Sequence, residues 1–235
     1  EDTDVMDVDG HGTHVAGIAA AKANNEKGGR GVDWNAQIVS KRIFSPTYDG
    51  DPAAASKIIS AVDEGAHILN NSWGGNSSTW STTLRIAFAY AYNMNRVSVV
   101  SMGNNNGSQT RYPAGFGQGI IAVGSTQNTD LVSSFSNTGS HITVVAPGGG
   151  DLPNDADDIW STWGPNSNSY AYEGGTSMAA AVVSGIASLL KGYNSNLDND
   201  DIENIIKLSA DKKGTDPYDA NGWNDKMGYG RVNAK

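Results

Sequence analysis

Residues 178–190 restrict the fold more than any other part of this chain. Met178, Val182, Ile186 and Leu190 recur every four residues, Ala179, Val183 and Ala187 fill the next stripe, and Ala180, Ala181 and Leu189 close much of the rest. A helix that is apolar nearly all round is a buried helix, and its small residues let neighbouring backbone come close. The fold must therefore surround a helix rather than float one on a surface. With 235 residues, 38% of them hydrophobic and 17% charged, the chain can form one large domain with a sizeable core.

Short apolar runs alternate with helical spacing along the sequence. AQIVSKRIF at 36–44 alternates like a strand, AAASKIISAVDEGA at 53–66 has helical spacing, and HILNNSW at 67–73 reads as a strand leaving into a polar turn. TLRIAFAYAYNMN at 83–95 reads as a helix, and RVSVVSMG at 96–103 and GIIAVGST at 119–126 read as strands. The segment 148–169 is rich in Gly, Asp, Asn, Pro and Ser and reads as a long surface loop around a short IWSTW strand. Strand–helix alternation of this kind predicts an α/β domain with a mostly parallel sheet. Ligands of such sheets sit at the carboxyl ends of the strands.

Composition excludes several classes of function. The net charge of −9 argues against nucleic acid or an anionic membrane as partner. There is no cysteine, so neither a disulfide framework nor a thiolate nucleophile is available. No stretch reaches the roughly 18 apolar residues needed to span a bilayer.

Three short stretches carry candidate chemistry. In GGTSMAAAVVSG, Ser177 stands at the start of the apolar helix, where unsatisfied N–H groups and the helix dipole stabilise developing negative charge. Acyl transfer makes such a charge, so Ser177 is a candidate nucleophile; the plain alternative is that Thr176 or Ser177 caps the helix. A serine nucleophile needs a base, and DGHGTHVAG places His11 in a glycine turn opening onto another apolar helix. Zinc is the alternative for His11, but His14 is three residues away and no H-E-x-x-H glutamate accompanies the pair. SMGNNNG is a strand end whose Asn104 could donate to an oxyanion, or could simply form a turn.

Together these stretches resemble the subtilisin-like serine proteases, the subtilases of peptidase family S8. The resemblance implies His11 as general base, Ser177 as nucleophile and Asn104 as oxyanion donor. It implies a three-layer fold, with a mostly parallel central sheet flanked by helices, formed by residues 1–235 as a single catalytic domain. GYGRVNA at 228–234 resembles the family's closing segment. NNSWGG then corresponds to the strand that pairs with extended substrate, through Ser72, Trp73, Gly74 and Gly75, with Ser101, Met102 and Gly103 as the far wall of a pocket. Arg111 falls where the family places the floor of that pocket, which implies preference for an acidic side chain before the scissile bond.

The resemblance also exposes departures. The family's catalytic aspartate lies on an early strand in a D-[ST]-G context, well before the histidine. The ten residues before His11 contain no such motif, and Asp7 and Asp9 match the acidic run next to the histidine instead. The chain thus reads as N-terminally truncated relative to the family, with a separate N-terminal segment as one possible source of the carboxylate. Ala181 and Val182 stand where the family has proline and histidine. Calcium is a common family cofactor, and DLPNDADD at 151–158 and TDPYDANGWND at 215–225 offer oxygen ligands without matching the EF-hand pattern. Met178, beside Ser177, implies oxidant sensitivity. Two functions follow: a secreted endopeptidase acting on polypeptides, or a catalytically inactive domain that binds extended peptides.

Overall fold

A computed structural model describes residues 5–44, 47–74, 78–150, 157–164 and 169–234. Four parallel strands, β1 (Ile68–Asn71), β2 (Val97–Ser101), β3 (Ile120–Thr126) and β4 (Val144–Pro147), lie side by side in that order. Ile68 is in register with Val97, Ser98 with Ile120, and Val123 with Val144.

Side chains alternate across this sheet, and both faces are covered. Val97, Val99, Ile121, Val123, Val144 and Ala146 face α4 (Thr176–Tyr193) and α5 (Asn199–Ser209). Leu69, Val100, Ile120, Ala122 and Val145 face α2 (Asp51–Asp63) and α3 (Thr82–Asn93). This is the expected three-layer arrangement. Coverage on both sides explains why β2 and β3 are unbroken apolar or small-residue runs.

The helix at 178–190 is buried for the reason its composition demands. Ala179, Ala180, Val183, Ile186 and Ala187 press on the sheet, while Met178 and Ala181 pack on Val15 and Ile18 of α1 (His11–Ala20). Its far end emerges, leaving Leu189 42% exposed.

Two segments differ from the sequence reading. Residues 36–44 alternate in type but form no strand; only an isolated bridge joins Phe44 to Tyr48. A strand requires a ladder partner, and β1 is paired only with β2 among the described residues. Ile38 and Val39 are accordingly 54% and 44% exposed. The loop expected at 148–169 is not all surface: Gly148, Gly149 and Gly150 are buried, and the IWSTW strand is β5 (Ile159–Thr162), paired antiparallel with β6 (Tyr170–Glu173). Residues 151–156 and 165–168 of that loop lie outside the described set.

Candidate active site

The start of α4 meets the carboxyl ends of β1 and β2. Gly175 precedes the helix without a side-chain cap, so neither Thr176 nor Ser177 serves as one. As the second helical residue, Ser177 has an N–H with no intrahelical acceptor. Its hydroxyl donates to the Ser72 carbonyl at 3.3 Å, and the Ser72 hydroxyl donates back to the Ser177 carbonyl at 2.8 Å.

Asn104 is fixed from one side. Its Oδ1 accepts from the Thr176 N–H at 3.0 Å and from the Thr176 hydroxyl at 2.8 Å. With the oxygen engaged, Nδ2 must face the other way. It lies beside Gly175, where a Cβ would come within 3.1 Å of it. The Thr176 oxygen in turn accepts from the Gly103 N–H at 3.0 Å. Asn137, fully buried, shapes the rest of the turn by accepting from the Asn105 and Gly107 N–H groups and donating to the Met102 carbonyl.

His11 arrives on α1. Val15 and Ile18 pack against Met178 and Ala181 near the starts of the two helices. That contact carries His11, one turn ahead of Val15, toward the same mouth as Ser177. The turn before it is held by Asp7. One oxygen accepts from the Gly10 N–H at 2.9 Å and the Asp9 N–H at 3.0 Å; the other accepts from the Thr13 N–H and hydroxyl, both at 2.7 Å. Burial alone would raise the Asp7 pKa, but these hydrogen bonds outweigh it and bring it down to about 2. Gly10 has φ 113°, and a Cβ there would lie 2.4 Å from the Trp163 ring, so only glycine fits. Burial lowers the His11 pKa from 6.5, while the charges of Asp9 and Asp7 oppose it. The lowering favours the neutral imidazole, the form able to accept a proton.

Several expectations take a different form. Asp7 and Asp9 accept from backbone N–H groups, and no carboxylate bonds the His11 ring among the described residues. Nor does a hydrogen bond join His11 to Ser177 there; the Ser177 hydroxyl proton is directed at Ser72. His14 is fully buried, with Nε2 3.1 Å from the Ala171 carbonyl, so it faces the interior and not a shared metal site. Met178 is 2% exposed.

The expected substrate contacts are divided. Ser72 and Trp73 are half-buried, Gly74 is exposed, and Gly75 lies outside the described residues. Ser101, at the end of β2, is buried, as are Met102 and Gly103 just after it, and the Met102 side chain is enclosed in the core. Arg111 is half-buried, next to the Tyr112–Pro113 pair that packs on Gly74.

Of the two calcium candidates, residues 151–156 lie outside the described set, and in 215–225 the carboxylates have partners within the chain. Asp219 accepts from the Asn221 and Trp223 N–H groups, and Asp216 pairs with Lys226 at 2.8 Å. Among the described residues no three His, Asp or Glu side chains form a group able to hold a metal.

An imidazole on one helix start, a hydroxyl on another and an oriented amide between strand end and helix lie in a chain that matches a known family. Its model, described as the subtilase family (Peptidase_S8), covers residues 1–230. The chain is a subtilase. It is 41% identical over 99% of its length to a thermophilic serine proteinase of Bacillus sp. strain AK1, and spans 53% of that relative. It is 40% identical to thermitase of Thermoactinomyces vulgaris, over 91% of this chain and 72% of thermitase. A halolysin-like extracellular serine protease of Natrialba magadii is 35% identical over 96% of the subtilase and 38% of its own length. Among solved structures, a Pseudoalteromonas arctica protease superposes with a TM-score of 0.86 at 33% identity, covering 95% of this chain and 68% of that one.

Proposed function

We propose that this subtilase domain is a serine endopeptidase. Ser177 Oγ attacks the peptide carbonyl carbon and His11 takes its proton. Asn104 Nδ2 and the Ser177 N–H hold the oxyanion. The C–N bond then breaks as His11 returns the proton to the leaving amine. Water, deprotonated by His11, hydrolyses the acyl-enzyme and frees Ser177. The observation that carries this reading is the Thr176 grip on Asn104 Oδ1, which leaves Nδ2 as the outward donor at the start of α4. A donor fixed before the charge develops costs no reorganisation during reaction.

Substrate polypeptide would extend along Ser72–Gly74, by backbone pairing that tolerates many side chains. Arg111 would favour glutamate or aspartate before the scissile bond; a peptide panel varied at that position should rank them first, and ranking them last rejects the preference. A family setting that includes an extracellular protease supports secretion, and no helix among the described residues is long and apolar enough to cross a membrane.

The test is covalent labelling with a fluorophosphonate, read by peptide mapping. Label should appear on Ser177, vanish in Ser177→Ala and slow sharply in His11→Ala. An unlabelled wild-type domain overturns the reading. One observation favours the alternative of an inactive peptide-binding domain: Ser177 is turned to Ser72, and no carboxylate touches the His11 ring among the described residues. That alternative requires retention of extended peptide without labelling.

A further inference from the structure

Ser184 is the one polar side chain buried in the middle of α4, 4% exposed among alanine, valine and isoleucine. A serine inside a helix commonly bonds back to the carbonyl one turn before it. Ser184 instead reaches across to β1, where its hydroxyl donates to Asn70 Oδ1 at 2.8 Å.

This bond decides what happens two residues away. A side-chain amide has one accepting end and one donating end. With Oδ1 occupied by Ser184, Asn70 Nδ2 donates to the Ser72 hydroxyl at 2.9 Å. The Ser72 hydroxyl has a single proton. Because it accepts from Asn70, that proton is available for the Ser177 carbonyl, at 2.8 Å. If the Asn70 amide were reversed, Oδ1 would claim the Ser72 proton and the Ser177 carbonyl would lose its partner. Three hydrogen bonds thus run in one direction, from Ser184 through Asn70 and Ser72 to the peptide of the nucleophile. Two turns of α4 close the ring.

We propose that Ser184 is a positioning residue for Ser177. By fixing the orientation of the Asn70 amide it makes Ser72 clasp the nucleophile's own peptide. The same clasp locks the start of α4 to the end of β1, where substrate would pair. This rests on Ser177 being the nucleophile, and small displacements of a reacting group can cost roughly 10²-fold. Ser184 touches no substrate; it acts through Asn70 and Ser72.

The experiment pairs two readouts. The first is hydrogen exchange of the Asn70 side-chain amide by NMR, which is independent of activity. It should be protected in the wild type and lose protection about tenfold or more in Ser184→Ala, a change that keeps the helix former and adds no bulk. The second is the rate of fluorophosphonate acylation of Ser177. Ser184→Ala should lower the maximal acylation rate about tenfold and leave probe affinity unchanged. Asn70→Asp should do the same although Ser184 remains, because a carboxylate only accepts and draws the Ser72 proton away from Ser177. In the Ser72→Ala background, Ser184→Ala should add nothing, since the relay has lost its end. Unchanged Asn70 exchange in Ser184→Ala, or losses that simply add, overturns the proposal. Absence of label on the wild type would instead overturn the nucleophile reading, and the exchange measurement then decides the clamp by itself.

Discussion

On the oxyanion side, every polar atom that sets the donor has a partner: Thr176 holds Asn104, Gly103 holds Thr176, and buried Asn137 holds the turn between them. On the histidine side, the partners stop short of the ring. Asp7 and Thr13 fix the turn that delivers His11, yet no carboxylate reaches the ring among the described residues. The Asn104 amide is oriented by its partners, while the His11 ring is held only through the turn that carries it. The difference follows from connectivity. The oxyanion elements are β2 and α4, both anchored in the four-stranded sheet; α1 packs on α4, outside the sheet.

The largest test of this contrast is to complete the weaker half. We propose that a strand from outside residues 5–234, on the same polypeptide or another, pairs with the outer edge of β1 beside residues 36–44 and brings an aspartate to the His11 ring. Supplying such a segment as a peptide should raise peptide-bond turnover by roughly 10⁴-fold, the scale lost when such an aspartate is removed. It should also bury Ile38 and Val39, read as slowed hydrogen exchange at 36–44. No change in either observable would leave the open β1 edge without a catalytic meaning.

The stronger half should fail by a smaller factor. Asn104→Ala removes one prepaid donor and should cost about 10²–10³ in kcat with little change in KM. Thr176→Val keeps the shape and the backbone N–H bond to Asn104 Oδ1, but removes the hydroxyl's bond to that oxygen and strips the Gly103 N–H of its buried acceptor. Part of the same kcat loss should appear, together with about 1–3 kcal/mol of stability, measured by denaturant unfolding. If Thr176→Val leaves kcat intact, the backbone N–H of residue 176 is enough to orient Asn104.

Some of this was legible in the residues and some was not. β2 and β3 could be read because coverage on both faces makes them continuous apolar runs. β4 is short and ends in Pro147, and β6 is a four-residue strand whose partner lies across a loop, so neither has enough length for a period. α5 was missed despite a visible signal, the capping box of Asp198 and Asp201 before Ile202 and Ile206. Residues 36–44 show the reverse error: alternation reports which face a side chain prefers but not whether a ladder partner is present. At the site, His11, Ser177 and Asn104 stand in long motifs. Thr176 and Ser184 lie within the same serine motif and Asn137 lies outside all three, yet none of their roles could be read there, since those roles come from partners such as Asn104, Met102 and Asn70, distant in the chain. A polar residue next to a nucleophile, or alone in an apolar helix, is the only clue they leave.

The smallest expected effect concerns Asp7, and its sign separates positioning from simple support. Folded, Asp7 titrates at about 2 against 3.8 when unfolded, so its stabilising contribution is complete above 3.8 and fades only as pH falls through about 2. It cannot produce an activity limb near neutrality. His11 can: burial holds its pKa below 6.5, so the neutral base persists above that folded value and acylation by fluorophosphonate should decline only below pH 6.5. Asp7→Asn removes one of the charges that raise the His11 pKa and should move this acid limb to lower pH. It also exchanges an acceptor for an amide donor facing the Gly10, Asp9 or Thr13 N–H groups, loosening the turn and lowering the plateau rate a few-fold. A variant with a lower plateau but an unmoved limb would mean that Asp7 only braces α1; an upward-moving limb would contradict the charge arrangement around His11.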